Sequence, residues 1–600
     1  MTPVKTTLGI LLILGLLVQC NVGTGIKPEY SSVKTITVKI VAFNDFHGQL
    51  ESPGTFPQSS SGSPESEIPV GGVDWMAGYI ANLKSQNPNT VVVSAGDVIG
   101  ATPLVSALFH DEPAIETMNR LGLEFNAVGN HEFDEGKEEL LRMQTGGCHP
   151  IDANSCRGAD VGEPSPFEGA RFQFLAANVF DRETGKTLFP SFGIKSIAGI
   201  RIAFIGLTLK ETANIVNPQS VDSLEFKDET ETINALIPTL RKSRVNAIVV
   251  LIHQGGVIPT VQSAGTINSC DGNLENESPI KAIVNQLDDA VDLVISGHTH
   301  QAYNCLIPNR LGRLIPVTSA NAKGRVLTDI DARFNRADGK LIDMTATNIV
   351  VDRGNKQIKP DASIKTLVEK YARIAQPLAD HVIGRISADI SRRPNAAGES
   401  ALGDLIADAD LAATAGHGLD KAVIAFMNPG GIRADLSYPS SVSNEGDGNV
   451  TYAEAFNVQP FGNSLVMMTL SGAQLHTLLE QQFTNCTMAY PDDVSKSGQP
   501  FNRILQVSKG FHYRWREKGT PCDNVDPADM SLNGIPIDPN ADYRITVNKF
   551  LADGGDKFYV LTQGQNRSSG PQDMDAFTNY FAAHPLIKPS SQDRIILLPH

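Results

Sequence analysis

The stretch FNAVGNHEFD, Phe125 to Asp134, decides how the chain is read. Its apolar run stops at Val128, and an amide, an imidazole and two carboxylates follow between Asn130 and Asp134. A buried strand has little use for such a cluster, whereas a metal site at the strand's end needs those groups. The same pattern recurs between Thr35 and Val350, in ITVKIVAFNDFHG, TVVVSAGD, RFQFLAANV, RIAFIGLT, AIVVLIHQGG and VDLVISGHTH. Each runs apolar and β-branched, then turns polar or glycine-rich. Such runs read as buried strands. The intervening GVDWMAGYIANLKSQ and SALFHDEPAIETMNRLG have helical spacing of apolar residues, and strands alternating with helices indicate an α/β domain. In that architecture ligands gather at the carboxyl ends of strands, where each polar cluster falls.

Six hundred residues exceed one ordinary core, so the chain divides into two or more domains. A composition of 41% hydrophobic and 19% charged residues is that of a soluble globular protein. The formal charge of -16, with no basic stripe, argues against a nucleic-acid polymer as the main partner. A small anionic substrate stays compatible, because metal ions supply local positive charge. The opening MTPVKTTLGILLILGLLVQCNVGTG places one lysine before an apolar run, Leu8 to Val18, too short to span a bilayer. Residues 1–25 therefore read as a signal peptide, and the mature chain as exported: secreted, periplasmic or cell-surface, without a transmembrane segment. Removing them leaves Cys148, Cys156, Cys270, Cys305, Cys486 and Cys522. An even count in an exported chain suggests three disulfides, and sequence order suggests Cys148–Cys156, Cys270–Cys305 and Cys486–Cys522 among the fifteen pairings possible. Glycosylation-type triplets begin at Asn276, Asn449, Asn485 and Asn566.

The polar clusters supply candidate ligands. Asp45 and His47 lie two apart on a segment read as extended, which puts both side chains on one face. Asp97 follows VVVSAG, Asn130 and His131 follow FNAV, His253 follows VVLI, and His298 and His300 repeat the spacing of two. Five of the thirteen histidines thus stand at strand ends. Carboxylate, imidazole and amide ligands without thiolates suit zinc, manganese, iron or cobalt.

The ordered set NDFHG, AGD, GNHEFD, IHQGG and SGHTH resembles the calcineurin-like metallophosphoesterases, and within them the 5′-nucleotidase branch. The resemblance implies an N-terminal metallophosphoesterase α/β sandwich domain, residues 34–358, and a C-terminal α+β substrate-binding domain, residues 382–600. PDASIKTLVEKYARIAQPLAD, within 359–381, reads as the helix joining them. It implies two divalent ions, one on Asp45, His47, Asp97 and His300, with Asp97 bridging to a second on Asn130, His253 and His298. It makes His131 and Asp134 a catalytic pair and leaves Glu132 without an assigned role, solvated or structural.

In the second domain NPGGIRADL, NVQPFGNSL and NKFLADGGDKF resemble the substrate domain of 5′-nucleotidases. Phe461 and Phe550 would sandwich the nucleobase, Asp556 would meet the ribose, and Asn428, Gly431 and Arg433 would lie nearby. The glycine-rich turns beside both phenylalanines favour exposed loops. The stretch RRPNAAGESALGDLIAD departs from the family, with alanine and glycine where substrate-contacting arginines fall, which leaves Arg392 or Arg393 as replacements. The implied activity is release of phosphate from nucleoside 5′-monophosphates, with NAD and nucleotide sugars as further substrates. A 2′,3′-cyclic-nucleotide phosphodiesterase/3′-nucleotidase is the alternative, and phenylalanine where those enzymes carry tyrosine weighs against it. A catalytically silent secreted binding protein would be free to lose ligands, yet all seven ligand positions and the His131–Asp134 pair are present.

Overall fold

The computed structural model describes residues 34–59, 67–158, 166–258, 262–270, 274–275, 278–415, 421–441, 444–484, 486, 499, 501–517 and 520–599. The signal peptide at 1–25 and the triplets at Asn276 and Asn485 lie outside these residues.

The N-terminal part is built on twelve principal strands. In chain order these begin with β1 (Thr35–Phe43), β2 (Thr90–Ser94), β3 (Phe125–Ala127), β4 (Gln173–Leu175), β5 (Phe192–Ile197) and β6 (Ile200–Thr208). There follow β7 (Ala247–His253), β8 (Leu293–Ser296), β9 (Ala302–Pro308), β10 (Leu314–Ala320), β11 (Val326–Asn335) and β12 (Leu341–Val350). They form two six-stranded sheets, ordered β12-β11-β1-β2-β3-β4 and β9-β10-β8-β7-β6-β5. Strands β1 to β4 are mutually parallel, as are β6, β7 and β8, so their carboxyl ends can share one edge.

The alternation of side chains explains the layering. Val38, Ile40 and Ala42 on β1, with Val91 and Val93 on β2, face Ile202, Phe204, Val249, Leu251 and Ile295 of the other sheet in one core. Val41, Phe43 and Val92 point the opposite way, into a core shared with the helices Val73–Gln86 and Glu112–Leu121. Both faces of the central strands are covered, which is why these runs are continuously apolar.

The helix Ala362–Ala379 starts at Asp361, whose carboxylate accepts the Ser363 and Ile364 N–H groups. Ile364, Leu367, Val368, Tyr371 and Ala375 bury its inner face in the N-terminal core, with Tyr371 edge-on to Phe109 at 4.9 Å. By its packing this helix belongs to the first domain.

The C-terminal part has a mixed five-stranded sheet of β13 (Ile424–Met427), β14 (Ser464–Ser471), β15 (Gln506–Val507), β16 (Asp542–Asn548) and β17 (Gln565–Gln572), ordered β15-β13-β16-β14-β17. A four-stranded sheet of Phe511–Trp515, Val525–Leu532, Ile535–Pro536 and Ile595–Leu597 packs against it through Phe426, Met468, Phe511, Tyr513 and Trp515. The disulfides are Cys148–Cys156, Cys270–Cys305 and Cys486–Cys522. Among the described residues no helix is long and apolar enough to cross a membrane.

Candidate active site

The β1–β2 pairing continues past the strand ends and brings two loops together. Asp45 N–H donates to the Gly96 carbonyl and His47 N–H to the Asp97 carbonyl, both at 2.9 Å. The segments are not extended, contrary to the reading by spacing. Asp45, His47, Asp97, His298 and His300 all hold left-handed backbone, with φ of 51°, 49°, 52°, 71° and 55°. The chain turns sharply as it leaves each strand, and that turn, rather than a shared strand face, aims the side chains. Non-glycine residues occupy such conformations at a cost of about 1 kcal/mol or more each, and they cluster at functional sites.

Two glycines in the motifs are explained by close approach. A Cβ on Gly96 would lie 2.7 Å from His253 Nδ1, and one on Gly129 would lie 2.2 Å from Asp97 Oδ1. Any side chain there would push into the cluster.

The loops gather the predicted ligands into one group, in which Asp45, His47, Asp97, Asn130 and His253 are buried and His298 and His300 are half-buried. His47 Nε2 lies 3.0 Å from His300 Nε2, and Asp45 Oδ1 lies 3.4 Å from the latter. On the other side His253 Nε2 lies 2.9 Å from Asp97 Oδ2, and His298 Nδ1 lies 3.1 Å from Asn130 Oδ1. Asp97 Oδ2 is also 3.8 Å from His47 Nε2, and Asp45 Oδ1 is 3.8 Å from His253 Nε2. Both carboxylates therefore reach both halves of the group, Asp45 as well as the Asp97 expected to bridge.

The donor chemistry fits a cation. His47 faces the Gly100 carbonyl through Nδ1 at 2.9 Å, and His253 faces the Ala95 carbonyl through Nδ1 at 2.8 Å. A carbonyl accepts only, so each Nδ1 carries its proton and each Nε2 presents its lone pair inward in the neutral ring. Asp97 Oδ2 and His253 Nε2 are buried without a partner in hydrogen-bonding geometry, although they touch. Burial would lower the His253 pKa, yet the charges of Asp97 and Asp45 push it up to about 10. Burial, then the charge of His253, holds His298 down to about 3. Carboxylate and imidazole donors gathered within reach of one another, with Nε2 lone pairs turned inward, suit a metal ion.

Beside the cage, His131 Nδ1 donates to Asp134, with Oδ2 at 2.9 Å and Oδ1 at 3.1 Å. Burial opposes the imidazolium, but Asp134 and Asp97 raise the His131 pKa above its ordinary value. Asp134 is itself placed by the Ala101 N–H at 3.0 Å, and the His131 N–H donates to Asp97 Oδ1 at 2.9 Å.

Glu132, left without a role by the sequence, is buried and structural rather than solvated. Its Oε2 accepts the N–H groups of Asp97 (2.9 Å) and Gly129 (2.7 Å), and its Oε1 accepts Val98 N–H (2.8 Å) and Asn126 Nδ2 (3.1 Å). One carboxylate thus ties the loop carrying Asp97 to the loop carrying Asn130 and His131. Burial and the charge of Asp97 push its pKa up to about 7 against the pull of these donors.

The second domain closes over this site. The Phe461 ring stacks on His131, centroids 5.8 Å apart at 18°, and the Arg433 guanidinium lies 5.8 Å from the Phe461 ring. Asn428 Nδ2 donates to Asp556 Oδ2 at 2.9 Å, and Gly431 follows as the buried residue of the otherwise exposed turn Pro429–Gly431. Asp556 also forms an ion pair with Arg503, which sequence reasoning missed because no motif surrounds it. Phe550 is half-buried in the short helix Lys549–Ala552 against the C-terminal core, with Gly555 beneath its ring, rather than on an exposed loop. Arg392 Nη1 donates to the Ile432 carbonyl at 3.1 Å, beside Arg433, whereas the Arg393 N–H donates to Ser391 Oγ. The domains touch further through Tyr559 Oη on Asn214 and Lys549 Nζ on Gln219.

Comparison with known proteins agrees with this arrangement. Residues 38–302 match the model for the calcineurin-like phosphoesterase, and residues 382–563 match that for the 5′-nucleotidase, C-terminal domain. The chain is 30% identical over 556 residues to endonuclease YhcR of Bacillus subtilis, covering 92% of this chain but only 40% of that protein's length. It is 30% identical over 603 residues to cell wall protein Lmo0130 of Listeria monocytogenes, covering 96% of this chain and 71% of that one. Among solved structures a 5′-nucleotidase precursor from Thermus thermophilus superposes with a TM-score of 0.73 at 26% identity, over 94% of this chain and all of that one. Motifs, paired domains and relatives agree, and the chain belongs to the 5′-nucleotidase family of the calcineurin-like metallophosphoesterases.

Proposed function

We propose that the chain is an exported phosphohydrolase with two divalent ions that releases phosphate from nucleoside 5′-monophosphates. Asp45, His47, Asp97 and His300 would hold one ion and Asp97, Asn130, His253 and His298 the other. Bound divalent ions supply Lewis acidity toward the phosphoryl oxygens and a nucleophilic water near neutral pH. In the overall reaction the water oxygen bonds to phosphorus, the phosphorus–O5′ bond breaks, and O5′ leaves with a proton.

The chain's own residues orient and stabilise. His131, kept charged by Asp134, would donate to phosphoryl oxygens as negative charge develops on them. Arg433 would add a second cation from the opposite domain. Phe461 and Phe550 would hold the base by its faces, which is tolerant of base identity. Asp556, with Asn428 and Arg503 fixing its carboxylate, would meet the ribose.

The observation that carries this reading is the Phe461 ring resting on His131, with Arg433 alongside. It supports the reading because an aromatic ring suited to stacking lies against an imidazole and a guanidinium suited to phosphoryl oxygens. Phosphate release from AMP by the purified chain with added manganese or zinc tests it. Release should collapse in Asn130→Ala and lose apparent affinity in Phe461→Ala. No release from AMP with any divalent metal would remove the reading.

A further inference from the structure

Away from the cage, the first domain gathers another set of nitrogen and carboxylate donors. His110, Glu135 and His149 each bring one ligating atom to within 4.8 Å of the others. They come from three segments: the turn before the helix Glu112–Leu121, the residue after Asp134, and the loop closed by the Cys148–Cys156 disulfide. Buried neighbours hold these segments together. Asp111 accepts the Gly100 N–H at 3.0 Å and the Ser106 hydroxyl at 2.7 Å. Glu112 accepts the Cys156 N–H and Arg142 Nη1, both at 2.7 Å, and the Ser155 hydroxyl as well. The three donors are thus brought together by bonds that their own side chains do not make.

His110 stands at the centre of the set. Its Nδ1 faces Glu135 Oε2 at 2.8 Å, and its Nε2 faces Asp152 Oδ2 at 2.9 Å. Burial opposes a charge on this ring, but Glu135, Asp152 and Glu139 push its pKa up to about 9. Near neutral pH a proton therefore stands between His110 and Glu135. One imidazolium offsets only one of the two carboxylates that it bonds. The half-buried His149 ring lies parallel to it, centroids 4.2 Å apart at 11°, and adds a further nitrogen where negative charge is already in excess. Surplus donors around a single proton are what a divalent cation satisfies.

We propose that His110 Nδ1, Glu135 and His149 form a further divalent-cation site, of the zinc class, separate from the candidate cage. Asp152 would keep the proton on His110 Nε2, and with it the tautomer that turns Nδ1 toward the ion. Two imidazoles and one carboxylate favour zinc over calcium or magnesium, which take oxygen ligands. Binding is an exchange: the ion takes the place of the shared proton, which passes to solvent. His149 turns out of the stack to ligate and gives up the 3.2 Å bond that its Nδ1 accepts from the Asp152 N–H. The bound ion would tie Glu135, and so the adjoining Asp134, to the disulfide loop. It would brace the His131–Asp134 pair from outside without touching substrate.

The test titrates zinc into the metal-stripped full chain and into His149→Ala, Glu135→Gln and Asp152→Asn, read by calorimetry and by metal content after dialysis. His149→Ala and Glu135→Gln should hold about one zinc fewer per chain than the wild type, because each removes a ligand. Asp152→Asn should keep the count and weaken that ion at least ten-fold, as loss of an outer carboxylate does. The event missing from the first two variants should release about one proton near pH 7, read in buffers of different ionisation heat. Wild-type zinc content and isotherms in both His149→Ala and Glu135→Gln would overturn the proposal. Anomalous diffraction from zinc-grown crystals of the wild-type chain checks it without a variant. A peak within bonding distance of His110 Nδ1 and Glu135 is expected, and peaks at the cage with none here would overturn it equally. If a variant misfolds and loses all its zinc, the crystal decides.

Discussion

Glu132→Gln tests the carboxylate that joins the two ligand loops. Glu132 is 3% exposed, and its two oxygens accept three backbone N–H groups and one side-chain amide. Glutamine keeps one acceptor and turns the other into a donor. With its NH2 toward Asp97 and Gly129, two backbone donors lose their partner. With its NH2 toward Val98 and Asn126, the Asn126 amide can turn, because its Oδ1 has no partner to lose. Only the Val98 N–H is then stranded, and this orientation wins. A buried unsatisfied donor costs about 1–3 kcal/mol. Because 1.4 kcal/mol is a factor of ten, the Val98 amide should exchange with deuterium roughly 10- to 100-fold faster in the variant, wherever exchange follows opening of this loop. Glu132→Ala strands all three backbone donors and should lose at least twice the stability in urea. Zinc affinity should weaken in the same order, because Asp97 and Asn130 lose their mutual brace. If Val98 exchanges at the wild-type rate in Glu132→Gln and the unfolding midpoint is unmoved, the bracing argument is wrong.

Asp134→Asn removes the charge beside His131 and should lower kcat for AMP about 100-fold with little change in KM, read by steady-state kinetics. Asp410 is buried with both carboxylate oxygens unpartnered, and burial, then the charge of Asp573, pushes its pKa well above the usual range. Burial pushes Asp573 up to about 7. The folded state therefore keeps protons that the unfolded chain gives up near pH 4, about the ordinary Asp pKa, so this stability is full below that pH and is lost as pH rises through 7. Asp410→Asn should narrow the gap between urea midpoints at pH 5 and pH 8. Replacing Cys270 and Cys305 by serine opens a loop of sequence separation 35 and should cost about 4 kcal/mol, against about 2–3 kcal/mol for Cys148 and Cys156 at separation 8, both read by thermal unfolding.

The candidate metal cluster was legible because each proposed ligand stands within a few residues of a strand end, and strand ends are what an apolar run followed by a polar break reveals. The two-residue spacings were read correctly as pairs but for the wrong reason, since the backbone at Asp45, His47, His298 and His300 is left-handed and not extended. Glu132 stayed silent because its partners come from Asp97, Val98, Asn126 and Gly129, and only folding brings the two loops together. Arg503 is silent for the same reason: its partner arrives from a segment 53 residues away, at Asp556. The helix Ala362–Ala379 reads as a connector by position, while its packing follows from an apolar stripe whose destination no local pattern states.

The left-handed backbone at five side chains of the cage has an evolutionary consequence. Glycine would relax each of those positions by about 1 kcal/mol, but it would delete a proposed ligand. Selection for heat resistance alone would therefore erode the catalytic centre first. A lineage that keeps aspartate and histidine at 45, 47, 97, 298 and 300 is paying a standing tax in stability, and only continued demand for the reaction explains its collection.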